Sequence, residues 1–285
     1  MCASCSWVAR ICSAGNTSGE VMVQGRRRWS MRELLPAVIQ WLAPAECLLC
    51  RETHNDRGFL CADCQRALPR NEHACRRCAA PMSHSKLRIP GAPRRSCCPA
   101  CHMRPTNCER ILAPFLMQGT FRELLHLWKF QNQPQLSTLM ARLFATTTAV
   151  QAQPQHTQQN LNEHRILVPI PTQWHRQLQR GFDHTWLLAH ALRSVIGREN
   201  RVRPRLRNTR LRRAQHRSNR ADRWENHSDR FIAEAGTEGQ HITLVDDVIT
   251  TGATVEAAAA ACKAAGATSV EVWALARTPA TAHAG

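Results

Sequence analysis

The sequence contains no tyrosine, and aromatic residues make up only 5% of its 285 positions. Proteins that stack the bases of single-stranded nucleic acid need aromatic side chains, so this composition is a poor basis for such a platform. No apolar run approaches the roughly 20 residues of a membrane-spanning helix. The Gly-Lys-Ser/Thr of a P-loop and the glycine fingerprint of a dinucleotide site are also absent. These absences argue against a membrane-spanning protein, a P-loop nucleotidase and a dinucleotide-dependent enzyme.

Acidic residues are scarce relative to basic ones. The sequence has 21 Asp and Glu against 38 Lys and Arg, for a formal net charge of +17 and a pI near 10.3. Such a charge favours polyanionic partners, either nucleic acid or a phosphorylated small molecule. Residues 201–230 are especially dense in arginine. A solvated arginine-rich surface with no such partner explains the charge equally well.

A secretory signal is also missing from the N-terminal region. Residues 1–30 lack an apolar segment and end in the basic run GRRRWS. We expect these thirty residues to be disordered, or to precede a true start at Met31. Without an export signal, the expected location is the reducing cytoplasm, where cysteine pairs serve metal or redox chemistry more often than disulfides.

Cysteine, by contrast, is abundant, with 14 residues. Four Cys-x-x-Cys pairs follow one another between residues 47 and 101: Cys47/Cys50, Cys61/Cys64, Cys75/Cys78 and Cys98/Cys101. This spacing lets two thiolates reach one tetrahedral ion, and two such turns complete a zinc site. We expect two structural Zn²⁺ ions in a module over residues 45–108, where apolar residues are too few for an ordinary core.

Two alternatives for this module stay open from the sequence. The four pairs could combine in sequential order or in a crossed order, and Cys97 or Cys108 could replace a neighbouring ligand. A redox dithiol fits less well, because no pair lies at a strand-to-helix junction. Cys262 lies in an alanine-rich helical segment and is expected to be part of the core.

Residues 110–277 alternate between helical and strand patterns. Helices are predicted over 121–130, 134–150, 183–196 and 254–265, with Asp183 as the N-cap of the third. Strands are predicted over 165–171, 242–246 and 269–277. The strands are continuously apolar, which is typical of a parallel sheet covered on both faces, so the fold class is α/β.

The stretch ITLVDDVITTGAT, residues 242–254, carries the strongest functional signal. Its carboxylates can accept hydrogen bonds from a vicinal diol. The turn that follows offers hydroxyls and the free N–H groups of a helix start, which bind phosphate. One sugar phosphate would satisfy both ends. The predicted contacts are Asp246, Asp247, Thr250, Thr251, Gly252, Ala253 and Thr254. In the alternative interpretation, the two aspartates only cap the helix.

The motif LVDDVITTGAT resembles the phosphoribosyl-diphosphate (PRPP) motif of type I phosphoribosyltransferases. In that family the acidic pair binds the ribose hydroxyls and the loop holds the 5-phosphate. Four Cys-x-x-Cys pairs, then LWKF, VPIP, QRGF and the PRPP motif, together resemble the ComF/GntX family over roughly residues 45–277. The resemblance implies a type I phosphoribosyltransferase-like parallel sheet over 110–277, a double zinc ribbon before it, and Mg²⁺ bound with PRPP.

The same resemblance implies that the loop after VPIP contacts pyrophosphate, with Arg176, Arg180 and Gly181 as possible contacts. The family's Arg-Gly-Phe-Asn-Gln reads Arg-Gly-Phe-Asp-His here. Because an acid disfavours a nearby anion, we do not expect Asp183 to contact pyrophosphate. The family's mobile segment is matched only loosely, by Thr209, Gln215, Arg223 and Asn226.

Two functions follow from this resemblance. The first is a PRPP- or ribose-5-phosphate-binding phosphoribosyltransferase connected with DNA uptake, natural transformation or DNA utilisation, whose acceptor substrate the sequence does not identify. The second is a non-catalytic nucleotide sensor or single-stranded-DNA-binding accessory protein on the same fold. Its partners would be DNA or DNA-uptake proteins.

Overall fold

The computed structural model describes residues 45–54, 58–82, 97–103, 106–131, 133–151, 165–172, 182–197, 199–209 and 230–279. All of them belong to one compact unit, Ala45–Gly285. None of the helices in these ranges is both long enough and apolar enough to span a bilayer.

Short elements joined by turns make up the cysteine-rich region. Strands β1 (Ala45–Glu46) and β2 (Thr53–His54) pair antiparallel, and helices α1 (Ala62–Arg66) and α2 (Pro99–Met103) have five residues each. Three of the six buried apolar residues in the described parts of 45–103 are cysteines. A region with so little apolar core needs another source of stability, as the sequence predicted.

A parallel sheet forms the centre of the remaining chain. Its strands are β3 (Arg110–Leu112), β4 (Phe115–Leu116), β5 (Ile166–Pro169), β6 (Arg201–Val202), β9 (His241–Ile249) and β10 (Ser269–Arg277). Strands β7 (Leu206–Asn208) and β8 (Phe231–Ala233) form a separate pair. The order across the sheet is β3-β10-β9-β5-β6, and β4 pairs with the end of β10. Every pairing in this sheet is parallel.

Helices cover both faces of the sheet. One buried cluster joins Val245 and Trp273 of the sheet to side chains of α3 (Gly119–Phe130), α4 (Leu136–Gln151) and α5 (His184–Ile196). The opposite cluster joins Leu244 and Val272 to α6 (Ala253–Ala264). Neighbouring strand residues therefore face different apolar layers, which explains why the strands are continuously apolar. The predicted α/β class with a parallel sheet is confirmed.

Strand β9 is longer than predicted. It runs to Ile249 rather than residue 246, because its pairing with β10 continues to the Ile249–Arg277 pair. Both aspartates therefore lie within the strand, and only the turn from Thr250 onwards projects beyond the sheet.

Strands β3, β4 and β6 of the sheet and the separate strands β7 and β8 were not predicted. Strands β7 and β8 pair antiparallel at the two edges of the arginine-dense region. Three-residue strands with mixed polarity give no recognisable period, so sequence patterns miss them. Of the four residues matched loosely to the mobile segment, only Thr209 lies within the described residues, directly after β7.

Candidate functional site

Eight cysteines form two groups of four. Within each group the sulfur atoms all lie within 4.8 Å of one another, and the groups are Cys47, Cys50, Cys61, Cys64 and then Cys75, Cys78, Cys98, Cys101. The pairs therefore combine in sequential order, and the crossed arrangement is not the one observed. We call these groups the first and second tetrads.

The spacing of the sulfur atoms fits Zn²⁺. Tetrahedral coordination at a Zn–S distance near 2.3 Å places neighbouring sulfurs about 3.8 Å apart. The Cys50 and Cys61 Sγ atoms are 3.8 Å apart, and those of Cys78 and Cys98 are 3.6 Å apart. Four thiolates leave no open coordination position, as expected for a structural ion.

The spare thiols lie outside the tetrads. Cys98, not Cys97, completes the second tetrad. Cys108 is buried, and its thiol donates to the Glu256 carboxylate at 3.5 Å. Cys262 is fully buried in α6, as predicted for a core residue.

A cavity of about 770 Å³ opens at the carboxyl end of the sheet, where ligands bind in open α/β folds. β9 and the turn into α6 contribute Asp246, Asp247, Thr250 and Thr254. Its other lining residues come from segments distant in sequence: Met117, Arg122, Lys129, Ile170, Pro171, Thr172, His184, Arg230 and Thr278, with Val248 of β9 itself.

Asp247 makes the strongest charged contacts in this cavity. Its Oδ2 atom lies 2.5 Å from the Lys129 Nζ atom and also contacts the His184 Nε2 atom. All three side chains are largely buried. Burial alone would raise the pKa of Asp247, but Lys129 and His184 outweigh it and hold the pKa well below its ordinary value. The Asp247 carboxylate is therefore ionised, and it binds both the Lys129 ammonium and the His184 imidazole.

Asp246 has the opposite electrostatics. Burial, reinforced by the neighbouring Asp247 carboxylate, raises the pKa of Asp246 to about 7. Its Oδ1 atom accepts from the Asp247 N–H at 2.9 Å, which fixes the orientation of the side chain. The adjacent aspartates are thus in different environments.

The turn after β9 forms a cradle that we define as Thr250–Thr254. Gly252 has φ +91°, in the left-handed region, and a Cβ atom there would meet nothing within 4 Å. The Ala253 N–H donates to the Thr251 hydroxyl at 3.3 Å, and Arg230 donates to the Thr254 hydroxyl at 2.9 Å. The first N–H groups of α6 lack intrahelical acceptors and lie at the positive end of the helix dipole, which favours an anion.

Asp183 takes the role that the sequence predicted. Its carboxylate accepts from the Thr185 and Trp186 N–H groups, so it caps α5. The possible pyrophosphate contacts Arg176, Arg180 and Gly181 lie outside the described residues, as do Gln215, Arg223 and Asn226.

Sequence reasoning did not assign site roles to Lys129, His184 and Arg230. Lys129 stands in the LWKF segment and His184 in the Arg-Gly-Phe-Asp-His segment, both of which carried the resemblance. The motifs do not indicate that both side chains contact Asp247, which lies more than fifty residues further along the chain.

Two family models match this chain, one in its cysteine-rich part and one in its C-terminal part. Residues 38–102 match the double zinc ribbon domain, and residues 195–284 match the phosphoribosyl transferase domain. The two matches agree with the tetrads and with the β9–α6 motif.

Named relatives align over nearly their whole length. DNA utilization protein YhgH of Salmonella typhimurium is 28% identical over 239 residues, covering 82% of this chain and 98% of the relative. YhgH of Escherichia coli K12 is 27% identical over 243 residues, with the same coverage. Competence protein F of Haemophilus influenzae is 25% identical over 234 residues, covering 81% and 96%. The chain is thus similar to the double zinc ribbon and phosphoribosyl transferase domains over these residues, and to YhgH and competence protein F over most of its length, in agreement with the resemblance to the ComF/GntX family.

Proposed function

We propose that the chain binds PRPP or a related ribose 5-phosphate in the cavity at the carboxyl end of the sheet. The observation that carries the proposal is that one cavity is lined both by carboxylates suited to a diol and by Thr250 and Thr254, the first and last residues of the cradle suited to a phosphate. The phosphoribosyl transferase match over residues 195–284 supports the same class of ligand.

The structure suggests different tasks for the two aspartates. Because Asp247 already binds Lys129 and His184, its contribution is to hold these side chains at the cavity. Asp246 has only a backbone donor among its described hydrogen bonds, so it is the better acceptor for ribose hydroxyls. The cradle then holds the 5-phosphate through backbone N–H groups and threonine hydroxyls.

Carboxylate and hydroxyl oxygens line the cavity, and these are the ligands that Mg²⁺ takes. Mg²⁺ bound with PRPP would neutralise charge on the pyrophosphate leaving group. Transfer would break the bond between ribose C1 and pyrophosphate and form a bond from C1 to the acceptor. The protein's part is to position the ribose and to balance the changing charge.

Calorimetric titration tests the ribose half of the proposal. Wild-type protein should bind PRPP with Mg²⁺ more tightly than inorganic phosphate, because phosphate has no diol. At pH 8, where a carboxyl with a pKa of about 7 is mostly ionised, Asp246→Asn should weaken PRPP binding by at least about tenfold and leave phosphate binding nearly unchanged, since each lost charge-assisted hydrogen bond costs about 1.5–3 kcal/mol. Equal affinity of the wild type for PRPP and phosphate would refute ribose recognition. If the protein binds PRPP but transfers its ribose 5-phosphate to none of a panel of bases and amines, the proposed binding site would still hold. The protein would then be a sensor rather than an enzyme.

A second proposal concerns DNA, because the relatives are named for DNA utilization and competence. The net charge of +17 supports it, and exposed Arg201 and Arg203 belong to the basic stretch. With few aromatic residues, contact would be made mainly to phosphates rather than by stacking bases.

Salt dependence tests this second proposal. Binding of single-stranded DNA should weaken steeply between about 50 and 200 mM salt and show little sequence preference. Measurement by fluorescence anisotropy is sufficient. An affinity that hardly changes with salt would contradict phosphate contact as the source of binding.

A further inference from the structure

A second cavity, of about 480 Å³, lies along helix α3 beside the proposed ribose site. Three of its lining residues, Met117, Arg122 and Lys129, also line the first cavity, so the two cavities adjoin. The others are Glu123, Leu125, His126 and Phe130. We call this second cavity the α3 groove.

Lys129 and Met117 place the groove next to the ribose site. The Lys129 Nζ atom lies 2.5 Å from the Asp247 Oδ2 atom of the first cavity, while Lys129 also lines the groove. The Met117 N–H donates to the carbonyl of Arg277 at 2.9 Å, and Arg277 is the last residue of β10. This wall of the groove therefore lies at the carboxyl end of the sheet. Its volume falls within the range of about 300–1,000 Å³ that is usual for small-molecule sites.

Two exposed aromatic rings form part of the groove. His126 and Phe130 lie one helical turn apart, with ring centroids separated by 5.0 Å and ring planes inclined by 38°. Phe130 is 57% exposed, whereas Phe115, Phe121 and Phe144 are buried. Exposed rings beside a ligand cavity can stack on a planar aromatic ligand, and such stacking tolerates any base.

Arg122 and Glu123 give the groove groups that distinguish the edges of such a ligand. Neither side chain has a hydrogen bond or an ion pair within the described part of the chain. A guanidinium donates to a carbonyl or a ring nitrogen, and a carboxylate accepts from a ring N–H or an amino group. An aliphatic amine has no plane to stack, and its charge would repel Arg122 and Lys129. The groove therefore suits a planar heterocycle with both donor and acceptor groups better than an amine.

We propose that the α3 groove binds a nucleobase-type nitrogen heterocycle, stacked on Phe130 and His126, beside the sugar phosphate. This inference rests on the proposed function, and it assigns the acceptor to the aromatic class rather than to the aliphatic amines. In transfer, the lone pair of a ring nitrogen forms the bond to ribose C1. The bond from C1 to the pyrophosphate oxygen breaks with its electron pair on pyrophosphate, and the ring N–H proton passes to water. The groove binds and orients the ring for this step.

Calorimetry with two kinds of ligand tests the groove, because a nucleoside 5′-monophosphate differs from ribose 5-phosphate by its base. In the wild type, at least one of the adenosine, guanosine, cytidine and uridine monophosphates should bind at least about fivefold more tightly than ribose 5-phosphate. Phe130→Ala should remove most of this ratio, and Phe130→Tyr should restore it, since a phenol ring also stacks. Phe59→Ala is the matched control, because Phe59 is 39% exposed and lines neither cavity. It should keep the ratio of the wild type.

The same titrations can overturn the proposal. A ratio near one for all four monophosphates in the wild type would do so, as would equal ratios in the wild type and Phe130→Ala or an equal fall in Phe59→Ala. If ribose 5-phosphate does not bind at all, the proposed function fails, and binding of free adenine, guanine, cytosine and uracil then decides the groove. Binding that weakens in Phe130→Ala would support it, and no binding of any of the four would refute it.

The charged side chains make a second test possible. Because all four bases stack, the contacts of Arg122 and Glu123 should set which base is preferred, and Arg122→Ala and Glu123→Gln should change the order of the four affinities. An unchanged order in both variants would refute edge recognition by these residues.

Other occupants of the groove give different results. If Phe130→Ala weakens binding of a single-stranded oligonucleotide but leaves the monophosphate ratio unchanged, the groove contacts DNA and the proposal is wrong. It is also wrong if Phe130→Ala converts a dimer to a monomer in sedimentation with an unchanged ratio, because a second copy of the chain would then cover the groove.

Discussion

At the scale of single residues, neighbouring carboxylates in β9 have opposite electrostatics. Asp247 is held anionic by Lys129 and His184, while burial and the charge of Asp247 raise the pKa of Asp246 to about 7. Adjacent strand residues point to opposite faces, so one aspartate can meet side chains from α3 and α5 while the other does not. The sequence predicted an identical role for both, and it has no signal that separates them.

The Lys129–Asp247–His184 contact predicts a large stability effect. Asp247→Asn would leave the Lys129 ammonium buried without its partner, and the free energy of unfolding should fall by about 3 kcal/mol or more. Denaturant unfolding measures this change. Asp63→Asn is the control, because its ion pair with Arg66 is almost fully exposed and should contribute nothing measurable. Similar effects of the two substitutions would mean that the buried contact does not hold the site together.

At the scale of elements, the β9–turn–α6 unit creates the phosphate site. The sheet ends at Ile249, Gly252 adopts a left-handed conformation, and α6 begins at Ala253 with its first N–H groups facing outward from the helix. A local sequence of about a dozen residues is enough to specify this geometry, because each step depends on near neighbours.

Gly252→Val should weaken PRPP, a nucleoside monophosphate and inorganic phosphate alike, by about tenfold or more. A branched residue is strained at φ +91°, and its side chain would occupy the open space above the turn. Gly239→Val is the matched control, since Gly239 has φ +68°, equally open surroundings and a position just before β9 at the opposite end of the sheet. It should destabilise the fold and leave the affinities unchanged, as titration of both variants would show. Normal phosphate binding by Gly252→Val would place the cradle elsewhere.

At the scale of the whole molecule, metal takes the place of apolar core in the cysteine-rich region. Purified protein should contain about two zinc ions per chain, because eight thiolates in two closed tetrads saturate two ions. Metal analysis and chelator titration followed by circular dichroism test this expectation. Protein that is free of metal and still folded over this region would contradict a structural role for the ions.

How much the sequence predicts depends on the range of the interactions. Periodicity identified helices α3 to α6 and strands β5, β9 and β10, and the Cys-x-x-Cys spacing identified the eight cysteines that form the two tetrads. The end of strand β9 was predicted three residues too early, since it is set by pairing with β10 rather than by the pattern of β9 itself. Strands β3, β4, β6, β7 and β8 were missed because each has only two or three residues, too few to show a period.

By itself, the sequence determined the local chemistry of this protein, namely thiolate pairs in tight turns, a capped helix at Asp183 and a strand–turn–helix suited to a sugar phosphate. Neighbouring residues fix each of these features, so a short stretch is enough to specify it. Only the tertiary structure decided which cysteine pairs share a site, that Lys129 and His184 meet Asp247, and that Arg277 donates to the carbonyls of Ile249 and Thr250. The parallel sheet brings those groups together from segments far apart in the chain, and no local pattern records which of them will become neighbours.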